Sequence, residues 1–319
     1  MLMGLFGFLR GFAINYATLL ALQVLLGVGM AAVIPSLPKL VGASFAKERV
    51  GLATGVYAAG FAVGDMLGMS LTPYILKSLG AWRNAFIVYG LWGIVLAVAW
   101  WVLAKEPKLA AMRAVEDESR TSLRSGLLAV VKMREVWIMT GLFICAVGSY
   151  DTVLMWLPYL LEARGIEPAA AGLIASMLPL GFLISSPSVG TLSDRIGLRK
   201  PFIWVLGLIT GPAIYLTGTA SDATLWASAF ITGFSTVGIL TLVLTMPIEL
   251  KETAPYVATA VGIISSVGNV GSLVMPVLVG LIKDLTGSFL PAIVMLAIVG
   301  ESSFLLGLLI KETGMRKRK

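Results

Sequence analysis

The chain has 319 residues and a formal charge of +7, with 58% hydrophobic residues, 13% charged residues and a mean hydropathy of +0.92. A water-soluble chain carries about 25% charged residues, so a pair of ordinary soluble domains is excluded. The absence of His and the single Cys145 exclude a disulfide framework, multi-cysteine metal sites, His-dependent catalytic triads and His-ligated zinc or haem.

A membrane-spanning helix needs roughly 20 mainly apolar residues. In chain order, residues 1–14 form an apolar piece too short to cross alone. Full-length spans are expected at about 17–42, 51–76, 84–104, 136–161, 169–193, 201–219, 224–250, 256–282 and 289–311. Short polar turns such as 47–49, 164–167 and 219–222 separate them. The pattern predicts an all-α polytopic membrane protein. With the basic C-terminal tail placed inside, 19 Lys and Arg residues fall on the inner side and four, Lys77, Arg83, Arg164 and Lys283, on the outer side. That asymmetry follows the positive-inside rule and predicts a cytoplasmic C-terminus; the expected location is the inner membrane of a prokaryote. The basic residues are spread over inner loops, which argues against a nucleic-acid partner and for a lipid bilayer.

One loop is long. Residues 105–134 carry seven of the basic residues and the acidic run Glu116-Asp117-Glu118. Leu123, Leu127, Leu128 and Val131 share a helical stripe, which predicts a helix lying on the inner membrane surface. A flexible linker is the alternative for 106–119. The expected organisation is a partial N-terminal bundle over 1–104, a linker over 105–135 and a six-helix bundle with a basic tail over 136–319.

The two sides of that loop resemble each other. Residues 54–64, TGVYAAGFAVG, match 261–271, VGIISSVGNVG, so that Gly55 falls on Gly262 and Gly64 on Gly271. Small residues at this spacing let helix backbones approach in lipid. Internal duplication in a multispanning protein is a feature of secondary transporters, whose substrate site lies between the repeats.

The most specific motif is residues 190–200, Gly190-Thr-Leu-Ser-Asp194-Arg195-Ile-Gly197-Leu-Arg199-Lys200, in an inner turn between two spans. A Gly-flanked turn with an acid and several bases can cap a helix and form ion pairs that latch one conformation. It resembles the major facilitator superfamily motif G-x-L-x-D-R-x-G-R-R. Leu19 to Gly29 resembles the family's fourth-span pattern, with Gln23 standing where that pattern has an Arg associated with proton coupling. Gly51, Gly60, Gly64 and Gly68 resemble its fifth-span antiporter pattern, with Asp65 replacing the Pro. Residues 81–86 resemble the outer turn before the sixth span, and Pro38-Lys39 with residues 51–57 resemble cyanate-permease-like members. Against a twelve-span family, this alignment starts partway through the third span, so the first two spans and the first copy of the loop motif are expected to be missing.

The resemblance implies a two-bundle helical fold and secondary transport of a small solute by alternating access, with no enzymatic activity and no cofactor. No GxxxxGK[ST] signature is present, so an ion or solute gradient is the expected driving force. A charge at mid-bilayer costs about 2.5–3.5 kcal/mol, which draws attention to Asp65, Asp151, Glu301 and Lys39 within the spans. The family's cavity is lined chiefly by its first, fourth, seventh and tenth spans, which here supply Lys39 and Asp151. Asp151 is then a candidate proton or cation site, and Lys39 a group that attracts an anion. Tyr150 and Trp156 share the span of Asp151, and Asn269 lies mid-span in the repeat copy. Buried structural pairing is the alternative for these polar groups. A membrane receptor or assembly subunit that kept the fold without transport, or an inactive truncated transporter, is the rival function.

Overall fold

The computed structural model describes residues 1–33, 36–44, 47–103 and 123–314. Residues 104–122, and with them most of the expected 105–135 linker, lie outside the described residues, as does the side chain of Lys39. All regular structure among the described residues is helical: α1 (Leu2–Leu9), α2 (Tyr16–Val33), α3 (Ser36–Ser44), α4 (Lys47–Leu79), α5 (Trp82–Leu103), α6 (Leu123–Val131), α7 (Arg134–Ala163), α8 (Pro168–Ala175), α9 (Met177–Ile196), α10 (Lys200–Thr219), α11 (Asp222–Glu249), α12 (Val257–Gly268), α13 (Val270–Thr286) and α14 (Leu290–Leu309). Seven apolar stretches among them are long enough to cross a bilayer: α5, α7, α8 with α9, α10, α11, α12 with α13, and α14. The expected span at 17–42 falls on α2 and α3, with residues 34–35 between them outside the described residues, and the span at 51–76 lies inside the longer α4.

Local chemistry sets the helix ends. Pro168 opens α8 and Pro201 and Pro291 sit in the first turns of α10 and α14, where a missing N–H costs nothing. Gly197 and Gly287 end α9 and α13 at φ of 72° and 70°, left-handed caps that a Cβ would strain. Two spans are broken. Ser176 interrupts one between α8 and α9, and Asn269 the other between α12 and α13.

The described residues divide into two units, one lying within 1–61 and 71–120, the other within 62–70 and 121–319. In the first, α1 packs on α5 through glycines. A Cβ on Gly90 would stand 2.2 Å from the backbone of Phe8, and one on Gly4 2.6 Å from that of Ile94. The far face of α5 exposes Leu91, Trp92, Leu96, Trp100 and Trp101, as a surface that meets lipid does.

In the second unit α9 packs on α11, and α10 on both α11 and α14. The approach is again backbone to backbone: a Cβ on Gly233 would fall 2.0 Å from the Leu178 carbonyl oxygen. Two apolar clusters fill the core. One gathers Met139, Leu142, Leu242, Met246, Ile264 and Ile310, the other Tyr150, Leu157, Leu161, Leu178, Leu225 and Leu296. Along α7 the first ends at Ala146 and the second begins at Tyr150. Helix α6 buries Gly126 and Val130 and exposes Leu127, Leu128 and Val131.

Candidate functional site

The polar residues of α7 sit where the two apolar clusters meet. At this level Gly148 and Gly271 bring α7 and α13 together: a Cβ on Gly271 would lie 2.5 Å from the Ile144 carbonyl oxygen, and one on Gly148 3.1 Å from the Gly271 backbone. That crossing carries Ser272 onto α7, where its hydroxyl donates to Asp151 Oδ2. Tyr150 is buried with its ring edge-on to Phe182 at 6.1 Å. Its hydroxyl and that of Ser149 have no partner among the described residues. Asp65, exposed on the stretch of α4 that groups with this unit, lies within electrostatic reach of both Tyr150 and Asp151. Two carboxyl groups and two unsatisfied hydroxyls are expensive in a membrane interior. Together they can bind and release a proton or hydrogen-bond a polar solute.

The remaining candidates are engaged elsewhere. Trp156 donates through Nε1 to the Pro276 carbonyl oxygen at 3.1 Å, and its ring packs with Tyr159 and Phe289. Gly280 leaves room for that ring, since a Cβ there would stand 3.2 Å from it. Asn269 is exposed at the break between α12 and α13, where its amide donates to the Ser265 carbonyl at 2.7 Å. Lys39 belongs to α3 of the first unit, and Asp151 to the second. Glu301 turns Oε2 toward Gly211, unpaired among the described residues. In the first unit Arg10 donates to Gln23 Oε1 at 2.7 Å and lies over the Phe86 ring. The pairing was not legible in the sequence: Gln23 stood out only for its place in the fourth-span pattern, and a single Arg in a short apolar piece looks unrelated to it.

The 190–200 motif forms an ion-pair network at the basic end of the second unit. The left-handed turn at Gly197 lets the chain reverse, so that Arg199 points back at the end of α9. Its guanidinium pairs with Asp194 and donates to Glu249 on α11 at 2.5–3.2 Å and to Ser193 Oγ at 2.8 Å. Hydrogen bonds to Glu249, helped by Asp194, raise the Arg199 pKa above its ordinary value against the opposing effect of burial. The group therefore stays charged throughout the physiological pH range. The Arg199 side chain is 8% exposed and that of Glu249 19%, and removing one partner of such a buried pair costs about 3–5 kcal/mol. Lys200 donates to the Leu308 carbonyl at 2.8 Å, whereas Arg195 is exposed. Gly190 packs lightly, with the Thr241 methyl 3.7 Å from where a Cβ would stand. Glu249 was not legible as a partner, since only the folding of α11 brings it beside a motif some 50 residues away.

The geometry agrees with what the chain resembles. A protein of Archaeoglobus fulgidus with no assigned activity is 30% identical over 230 residues, which cover 71% of this chain and 99% of that protein. A candidate glycerol-3-phosphate transporter of Arabidopsis thaliana is 27% identical and a candidate sulfoacetate transporter of Cupriavidus necator 26%. These alignments cover 91% and 92% of this chain but 62% and 72% of those proteins. A bacterial homologue of the human lysosomal transporter Spinster, in an inward-facing unoccupied conformation, superposes with a TM-score of 0.67 at 17% identity, covering 97% of this chain and 79% of its own. That likeness shows a two-bundle helical fold. The Major Facilitator Superfamily profile matches residues 1–165 and 143–318, and on that match over nearly its whole length the chain belongs to this superfamily of membrane transporters rather than to an enzyme family.

Proposed function

We propose that the chain carries a small organic anion across a cytoplasmic membrane by alternating access, with proton movement coupled through Asp151. The observation that carries this reading is the Tyr150–Asp151–Ser272 group at the junction of two apolar clusters. Such a group is retained against its insertion cost when it contacts a translocated species or a wet path. The solutes for which two relatives are named, glycerol-3-phosphate and sulfoacetate, share a small carbon skeleton with a phosphate, carboxylate or sulfonate. That chemistry fits the cyanate-permease-like resemblance and a path entered past Lys39. Asp65 assists Asp151, and Trp156 and Asn269 border the path. The basic end, with Arg199 and Lys311, faces the cytoplasm, in line with the positive-inside rule, and the 105–135 segment links two bundles there.

Counterflow in proteoliposomes tests the function. Vesicles preloaded with an unlabelled anion of this class should accumulate the labelled one transiently and saturably. A chain that inserts and folds yet shows no exchange with any such anion would instead support the receptor or assembly-subunit reading. Asp151→Asn should abolish the pH dependence of uptake, and unchanged uptake with unchanged pH dependence would remove Asp151 from the mechanism.

A further inference from the structure

Beyond α14 the chain does not trail away. Ile310 is 1% exposed in the first apolar cluster, and Thr313 and Gly314 are buried. Glu312 reaches across to the start of α10. Its Oε1 accepts from the Arg199 N–H at 2.7 Å and its Oε2 from the Lys200 N–H at 3.1 Å, and Oε1 also accepts from the Gly314 N–H at 2.9 Å. A carboxylate from a distant segment thus caps the first N–H groups of α10, which have no partner within their own helix. The next residue extends the same contact: Thr313 donates to Glu249 Oε2 at 2.7 Å, on the carboxylate that holds Arg199. Gly314 lies so close that a Cβ would stand 2.1 Å from the Gly197 carbonyl oxygen, so only glycine fits against the motif's turn. On the other flank the Lys311 ammonium pairs with Glu135 of α7 at 3.4 Å and Glu252 at 3.9 Å.

Four consecutive residues therefore touch α7, the α9–α10 turn, the foot of α11 and the segment after it. We propose that Lys311–Gly314 form a clasp that fixes the Arg199 network, with Glu312 its positioning residue. The clasp makes the basic end of this unit one block, so that α9, α10 and α11 tilt together when the unit moves. The sequence bears a second copy of its leading dipeptide: Lys105-Glu106 follows α5 as Lys311-Glu312 follows α14, one residue off the offset of the internal repeat.

Hydrogen–deuterium exchange of the full-length chain in lipid nanodiscs tests this directly, because the bonds in question are backbone N–H groups. Glu312→Ala should speed exchange at Arg199 and Lys200 by about tenfold or more, as loss of hydrogen bonds to a charged acceptor predicts, while α12 and α13 stay unchanged. Glu312→Asp should restore part of that protection, and Glu312→Gln, which keeps an acceptor oxygen but no charge, less. Thr313→Val should speed exchange around Glu249 without touching Lys200. Removing residues 315–319 should change neither site. Unchanged exchange at Arg199 and Lys200 in Glu312→Ala would overturn the clasp. So would uniform acceleration over all helices in both Glu312→Ala and Thr313→Val, which would mark a general loss of stability. These outcomes do not depend on the substrate, so they stand apart from the counterflow result.

Discussion

The two copies of the internal repeat have the same small-residue pattern and different surroundings. Gly64 lies in an unbroken α4 with open space where its side chain would be, whereas Gly271 lies just past a break in the helix and against the backbone of α7. A glycine pattern in an apolar run therefore marks where close approach is permitted, and does not say whether a partner uses it. In the C-terminal copy the permission is used, and the contact it allows delivers Ser272 to Asp151. In the N-terminal copy the same face carries Asp65, exposed.

Substitutions can sharpen or break that contrast. The largest effect is expected from Gly271→Val. Its side chain meets backbone rather than movable side chains, so it should cost more than the about 1–3 kcal/mol of ordinary overpacking. It should leave little monodisperse protein on size-exclusion chromatography. Next comes the pair of carboxylates: Asp151→Asn should lower pH-driven uptake at least tenfold, about 1.4 kcal/mol of barrier, and Asp65→Asn by less. Equal losses in the two variants would erase the distinction drawn between the copies. Ser272→Ala should cost about 1 kcal/mol of stability, read as a fall in Tm, and should shift the pH profile of uptake without abolishing it. The smallest effect is expected from Gly64→Ala, which meets nothing and removes a glycine from a helix interior. Its Tm should hold or rise, by up to about 1 kcal/mol equivalent, and a marked fall would mean that α4 packs closely there after all.

These contrasts also explain how much was legible in the sequence. Of the nine spans expected from long apolar runs and their polar turns, seven match apolar helical stretches long enough to cross among the described residues, because in a membrane the length of an apolar run is itself the signal. The 190–200 motif was readable because its Gly, Asp and Arg stand close together in one turn. Its partners Glu249, Glu312 and Thr313 were not, because tertiary packing alone joins residues 50 to more than 100 positions away. Asp151 stood out as a charge within an apolar run. Ser272 did not, since a single hydroxyl in such a run is common and commonly bonds its own helix, as Thr236 and Thr241 do at 2.7 and 2.9 Å.

The exposed tryptophans of α5 have a consequence for the bilayer in which the protein sits. Trp82 stands at one end of that helix and Trp101 near the other, both exposed, about 28 Å apart at 1.5 Å per residue. Indole rings settle at the boundary between headgroups and acyl chains, so the helix is a built-in gauge matched to a hydrocarbon layer of about 30 Å. In thicker, sterol-rich lipid both rings would be pulled below the headgroups, and α5 would have to stand more upright or draw the layer thinner around it. Lipid chain length is thus a variable to which the seating of α5 should respond, independently of anything the protein transports.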